Sequence, residues 1–408
     1  MNYRLKKHNK RLNNTITLES SKSESNRALI INALAGGETS NIYNLSHARD
    51  TQTMLRLLSQ NLNEYDVKDA GTTMRFLTAY LAIKGQNVII TGTERMKQRP
   101  IGPLVDALRQ LGAEISYLEK EGYPPLKINR IQSQGANEIA ISGNISSQYI
   151  SALLMIAPCL PKGLTITLTT EVFSQPYIQM TLDLMHTFGI DTDWVGNEIS
   201  IAHQSYKPTS FTIEGDWSGA SYWYGFAALA SEGSLLTLPG LRKRSSQGDQ
   251  EITAIMNHLG IGTHFEKSHV SLERRNTGLA ALELDFRNCP DLAQTVMVAA
   301  AASGVNLQMT GLESLKIKET DRVFAMQNEL KKIGASLEES NGKWTLSPSK
   351  NLPTSVAIDT YEDHRMAMAF APLSLLTDVI IHDPMVVEKS YPGFWDEVLK
   401  LGVEIETT

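Results

Sequence analysis

Cysteine is scarce in this 408-residue chain. Cys159 and Cys289 are the only two, they form no CxxC pair, and their apolar or helix-start surroundings mark them as reduced, structural thiols of a reducing compartment. The nine histidines show no ligand spacing, so no metal centre is signalled. A long apolar run is also missing. The most apolar stretch, "ISALLMIAPCLPKGL", is interrupted by Pro158 and Pro161, which excludes a membrane-spanning helix there. Nor is there an excess of positive charge: the net charge of −6 argues against a large nucleic-acid footprint, and any anion must be held by local clusters. The first residues, "MNYRLKKHNKRLNNTITLES", contain no acid before Glu19, yet they lack the apolar core of a secretory signal. Their tail "NTITL" alternates like a strand, and an exposed basic strand is the reading that fits.

What is present is an ordinary globular composition, 42% hydrophobic and 20% charged, in a chain long enough for two domains. An amphipathic helix, a Gly-capped turn and a strand recur as "VDALRQLGAEISYLE", "LDLMHTFGIDTDWV", "ITAIMNHLGIGTHFE", "AMQNELKKIGASLEE" and "DEVLKLGVEIET". Their glycines, Gly112, Gly189, Gly260, Gly334 and Gly402, recur with a period of roughly 70 residues and fall where a helix end favours a left-handed residue. A degenerate copy, "MLRLLSQNLNEY", precedes them. Alternating with these are helices rich in small residues and apolar on nearly every face, which predicts burial. They open at "SKSESNRAL", "DAGTTMRFL", "SSQYISALL", "DWSGASYW", "PDLAQTVMV" and "EDHRMAMAF". The implied unit runs strand, buried helix, strand, amphipathic helix, strand. It occurs six times, with a boundary between halves near "SFTIEGD". Helix starts attract anions, and here those starts carry Lys22, Ser23, Arg27, Gly71, Ser146, Ser147, Gln148, Asp291, His364 and Arg365. Taken singly, each has a plain structural alternative. Asp291 can cap the helix that follows Pro290, Glu319 and Arg322 have the spacing of a helix-surface pair, and Arg322 and Lys389 can be solvated charges.

Nine segments together resemble the 5-enolpyruvylshikimate-3-phosphate synthase family, in the family's order and from end to end of the chain. They are "SKSESNRAL" (21–29), "DAGTTMRFL" (69–77), "RMKQRPIGPLVDAL" (95–108), "SSQYISALL" (146–154), "SQPYIQMTL" (174–182), "GDWSGASYW" (215–223), "KETDRVFAM" (318–326), "DHRMAMAF" (363–370) and "EKSYPGFW" (388–395). The resemblance implies an α/β fold of two similar domains, each of three βαβαββ units, an inside-out α/β barrel with the active site in the interdomain cleft. Residues 15–213 would form the first domain, and 1–14 with 214–408 the second. It further implies a cytoplasmic monomer that needs no cofactor or metal, and whose partners are phosphoenolpyruvate and shikimate 3-phosphate.

Carried over residue by residue, the resemblance makes Lys22, Ser23, Arg27, Ser146, Ser147, Gln148, Ser174, Tyr177, Asp291, Ser314 and Lys318 contacts of shikimate 3-phosphate. Lys22, Gly71, Arg99, Gln148, Arg322, Arg365 and Lys389 become contacts of phosphoenolpyruvate, with Arg75 in support. Asp291, Glu319 and Lys22 become the acid/base residues of an addition followed by an elimination. The chain departs from the family's pattern at Asp69 (usually Asn), Phe76 (usually Pro), Ser314 (usually Asn) and "ESSK" before the first helix. Its first repeat also looks short by a strand or two. Two other readings stand beside this one. A transferase acting on a UDP-sugar usually carries a loop cysteine that "TERMKQRPIGP" lacks, and a non-catalytic phosphometabolite-binding repeat protein would have no need of Asp291, Glu319 and Lys22.

Overall fold

The computed structural model describes residues 1–8, 11–275 and 279–408. Contacts divide them into two units, Lys22–Ile213 and Met1–Ser21 with Glu214–Thr408, each with its own apolar core. The second crossing falls within the expected "SFTIEGD". The first lies at 21/22 rather than at 14/15. Residues 15–21 belong with the later half because strand Asn13–Thr15 pairs in parallel with Leu235–Pro239, and Ser21 N–H donates to the Glu214 carbonyl (2.8 Å).

Each unit repeats one element order. In the segment from Glu64 to Asn129, strand Glu64–Asp66, helix Gly71–Lys84 and strand Val88–Thr91 form a parallel βαβ. Helix Gly102–Gln110 then leads to the antiparallel strands Glu114–Tyr117 and Leu126–Asn129, which complete a four-stranded sheet. Five sheets of this kind occur among the described residues, and the sixth has two strands only. That short sheet, Ile42–Tyr43 beside Phe211–Thr212, belongs to the first repeat and is the loss of strands that its length foreshadows. In the last sheet, strand Asn2–Leu5 lies between Asp378–His382 and Ile405–Thr407.

The two helix types separate by burial as their composition dictates. In Trp217–Leu229 every residue except Ser218 is buried. Small residues let it approach its neighbours closely, and a Cβ on Gly225 would stand 3.2 Å from side-chain atoms of both Pro372 and Thr295. The amphipathic helices end at the glycines expected to cap them: Gly112, Gly189, Gly260, Gly334 and Gly402 all have φ between 82° and 104°. The degenerate copy has no such glycine and ends at Ser59 with φ −80°. No helix among the described residues is long and apolar enough to cross a membrane.

Candidate active site

In the Lys22–Ile213 unit, polar side chains gather at the starts of three buried helices. Lys22 opens helix Lys22–Leu34, and its ammonium pairs with Asp50 at 3.2 Å. Asp50 is buried in the adjacent helix Arg49–Leu58, so the lysine is held by a carboxylate almost out of reach of water. Arg27, one turn on, is 2% exposed. It donates to Thr181 Oγ1 (2.7 Å), Ser151 Oγ (3.2 Å), the Tyr177 carbonyl (3.2 Å) and the Ser23 carbonyl (3.0 Å). Four of its five N–H donors are thereby committed within the protein. Burial pushes its guanidinium down to about 10. The unusual Phe76 lies beneath it, with the ring centroid 5.2 Å from the guanidinium carbon, and the Tyr177 ring is 5.9 Å away. The phenyl ring that replaces the customary proline is therefore part of the packing of an arginine at the site.

Gly71 begins the second buried helix. A Cβ there would stand 2.6 Å from guanidinium nitrogens of both Arg75 and Arg99, so the absent side chain is what admits two cations to this helix start. Arg75 also donates to the Gly71 carbonyl (2.9 Å) and lies over the Tyr149 ring. Asp69, the other departure from the family pattern, is paired with Arg49 at 2.9 Å, so its charge is offset locally. Ser146 caps helix Ser147–Ile156 by accepting from the Gln148 N–H, and the Gln148 side chain donates to Thr72 Oγ1 (3.1 Å), linking the third helix start to the second. Ser147 is buried behind them. Ser174 stands before helix Gln175–Thr187 with φ 56°, a left-handed turn that aims the following chain at Arg27.

The unit containing Glu214–Thr408 holds the acids. Asp291 is in the turn Pro290–Leu292, and its carboxylate accepts from Arg322 Nη1 (2.9 Å) and Arg365 Nη2 (2.8 Å), with Lys318 Nζ at 3.9 Å. The helix behind it, Ala293–Ser303, takes Leu292 as its cap residue. Burial opposes ionisation of Asp291, but the charges of Arg365, Lys318 and Arg322 override it and hold the carboxyl well below the usual carboxylate range. Burial also lowers the Lys318 ammonium, a shift that Asp291 counters only in part. Arg322 is no surface charge, at 2% exposed. It bridges Asp291, Glu319 (2.8 Å) and Asp363 (2.6 Å), and these carboxylates raise its affinity for the proton against the opposing effect of burial. Glu319 precedes helix Arg322–Lys332, so the pair with Arg322 closes the approach to the helix instead of decorating its surface.

Asp363 and Tyr222 escaped the reading of the chain. Asp363 is fully buried, accepts from the Arg365 N–H (2.9 Å) and caps helix His364–Phe370 while gripping Arg322. Its place before "HRMAMAF" carried the signal of a cap but none of the ion pair. Tyr222 O–H stands 3.1 Å from Arg365 Nη1. Lys389 is 4% exposed at the end of the turn Pro384–Lys389, and Ser314 is half-buried in Glu313–Ile317.

Residues 6–64 and 59–398 match the family profile of EPSP synthase (3-phosphoshikimate 1-carboxyvinyltransferase). A 3-phosphoshikimate 1-carboxyvinyltransferase of Bacteroides fragilis is 47% identical over 396 residues, covering 96% of each chain. One of Aliivibrio fischeri is 38% identical over 422 residues, covering 96% of this chain and 97% of the other. Among solved structures, EPSP synthase of Acinetobacter baumannii superposes with a TM-score of 0.83 at 21% identity, covering 100% and 99% of the two chains. The enolpyruvyl transferase NikO of Streptomyces tendae does so at 0.76 and 13% identity, covering 100% and 98%. These superpositions bear out the two-domain α/β fold of the enolpyruvyl transferases. Sequence likeness over nearly the whole length decides the rest: the chain belongs to the EPSP synthase family.

Proposed function

We propose that this protein transfers the enolpyruvyl group of phosphoenolpyruvate to the 5-hydroxyl of shikimate 3-phosphate and releases phosphate, as a cytoplasmic monomer. The observation that carries this reading is one carboxylate, Asp291, shared by Arg322, Arg365 and Lys318, with the second acid Glu319 on the same Arg322. Such a cluster offers anion-binding cations and proton-transfer groups together.

Shikimate 3-phosphate would be held by Lys22, Ser23, Ser146, Ser147, Gln148, Ser174, Tyr177, Ser314 and Lys318. Arg27 would contribute chiefly by ordering Ser23 and Tyr177, since its donors are largely committed. Phosphoenolpyruvate would lie against Lys22, Gly71, Arg99, Gln148, Arg322, Arg365 and Lys389, where planar guanidinium groups suit carboxylate and phosphate. Asp291 would take the proton of the 5-hydroxyl as that oxygen bonds to C2 of phosphoenolpyruvate. Glu319, with Lys22, would protonate the methylene carbon to give a tetrahedral intermediate. Removal of a proton from that carbon and loss of phosphate then yield the enol ether.

With its three cations in place, Asp291 is a weak base. Incoming phosphate and carboxylate groups compete for Arg322, Arg365 and Lys318 and thereby restore its basicity, so the substrates themselves would arm the base. Purified protein given both substrates should release phosphate. Release with a UDP-sugar as acceptor and none with shikimate 3-phosphate would refute the assignment.

A further inference from the structure

Behind Arg365 lies a second buried carboxylate that the reaction scheme does not use. Asp249 is 3% exposed in the turn Gly248–Glu251. The turn is docked on the start of helix Trp217–Leu229, where Gln247 Oε1 accepts from the Trp217 N–H (3.0 Å) and Asp249 accepts from the Ser218 hydroxyl. Ser245 and Gln247 brace the same loop on the buried Glu214 at 2.6 and 3.2 Å. Ser218 Oγ in turn accepts from Arg365 Nη2 (3.4 Å), the nitrogen that also reaches Asp291.

The partners dictate the polarity of this chain. A guanidinium can only donate, and a serine hydroxyl has a single proton, so that proton must point to Asp249 and leave the oxygen lone pairs to Arg365. Tyr222 O–H meets the other terminal nitrogen at 3.1 Å, so two hydroxyls hold the guanidinium from its protein side. Neither contact uses the Asp291 carboxylate, so an anion that takes its place need not break them. We propose that Asp249, acting through the Ser218 hydroxyl, is a positioning residue that fixes the Arg365 guanidinium for an acidic group of phosphoenolpyruvate. This rests on the reading of Arg365 as a phosphoenolpyruvate contact.

The test is steady-state kinetics of the full chain with each substrate varied in turn, for Asp249→Asn, Ser218→Ala, Ser218→Thr, Arg365→Lys and Asp249→Asn combined with Arg365→Lys. An amide at 249 can donate to Ser218 and turn the hydroxyl proton toward Arg365. Asp249→Asn and Ser218→Ala should each raise KM for phosphoenolpyruvate about tenfold while KM for shikimate 3-phosphate stays within about twofold. Ser218→Thr, which keeps the hydroxyl, should restore the phosphoenolpyruvate KM. The double variant should be no worse than Arg365→Lys alone, because the two residues act in series. Folded Asp249→Asn with an unchanged phosphoenolpyruvate KM, equal losses for both substrates, or additive losses in the double variant would each overturn the proposal. If Asp249→Asn does not fold, the Ser218 pair decides by the same readout. An unaltered phosphoenolpyruvate KM in Arg365→Lys would instead strike down the role of Arg365, and the proposal with it.

Discussion

Asp291 gives the most specific expectation for a single side chain. Its carboxyl is held low by Arg365, Lys318 and Arg322 against the contrary effect of burial, so in the free protein it stays ionised through the acid range where ordinary carboxylates titrate near 4. With anionic substrates on those cations its affinity for protons rises. The acid limb of kcat, which reports the complex, should therefore lie at higher pH than that of kcat/KM, which reports the free enzyme. A separation of about one pH unit or more is expected; coincident limbs would contradict substrate-linked arming. Asp291→Asn and Glu319→Gln should lower turnover by about 10²–10⁴-fold with smaller changes in KM. Gly71 supplies an expectation of another kind. Alanine suits a helix start, but its methyl group would stand 2.6 Å from both guanidinium groups, so the entropic gain is offset and Gly71→Ala should leave the melting temperature little changed. The new methyl group meets Arg75 and Arg99, so KM for phosphoenolpyruvate should rise. A lower melting temperature without a change in KM would show that the glycine serves the backbone alone.

At the scale of elements, the glycine caps join sequence to structure most directly. Gly334 has φ +82°, a conformation that costs an L-residue about 1–2 kcal/mol. Gly334→Ala should lower stability by that amount in a denaturant titration while leaving both KM values alone. The capping glycines, the buried small-residue helices and the shortened first repeat were all readable from the chain, because each depends on neighbours a few residues apart. The partners of the charged residues were not. Arg322 and Asp363 lie 41 positions apart, Lys22 and Asp50 lie 28, and Ser218 and Asp249 lie 31. No local pattern announces which distant carboxylate a cation will meet. For the same reason Asp69 and Phe76 looked like flaws in the motif until Arg49 and Arg27 were seen beside them. Residues 15–21 were misplaced because the alternation of "NTITL" announces a strand but not the distant segment, Leu235–Thr237, beside which Asn13–Thr15 lies.

At the scale of the whole molecule, the six repeats are unequal in strength. The sheet Ile42–Tyr43 with Phe211–Thr212 has two strands of two residues each, against four strands in each of the other sheets among the described residues. Few ladder bonds and exposed flanks place a segment at the low-stability end of a fold. Amides of 41–45 should therefore exchange with solvent well before those of Val88–Thr91, and equal protection would indicate that the first repeat draws stability from elsewhere. The sheet containing Asn2–Leu5 poses the opposite problem. That strand is the inner neighbour of both Asp378–His382 and Ile405–Thr407, so the sheet cannot close until segments separated by more than 370 positions meet. Lys22–Ile213, by contrast, is one uninterrupted stretch. Entropy of loop closure then favours an order of assembly in which this stretch matures first, while the other half waits for its missing inner strand as a slow, late step of refolding.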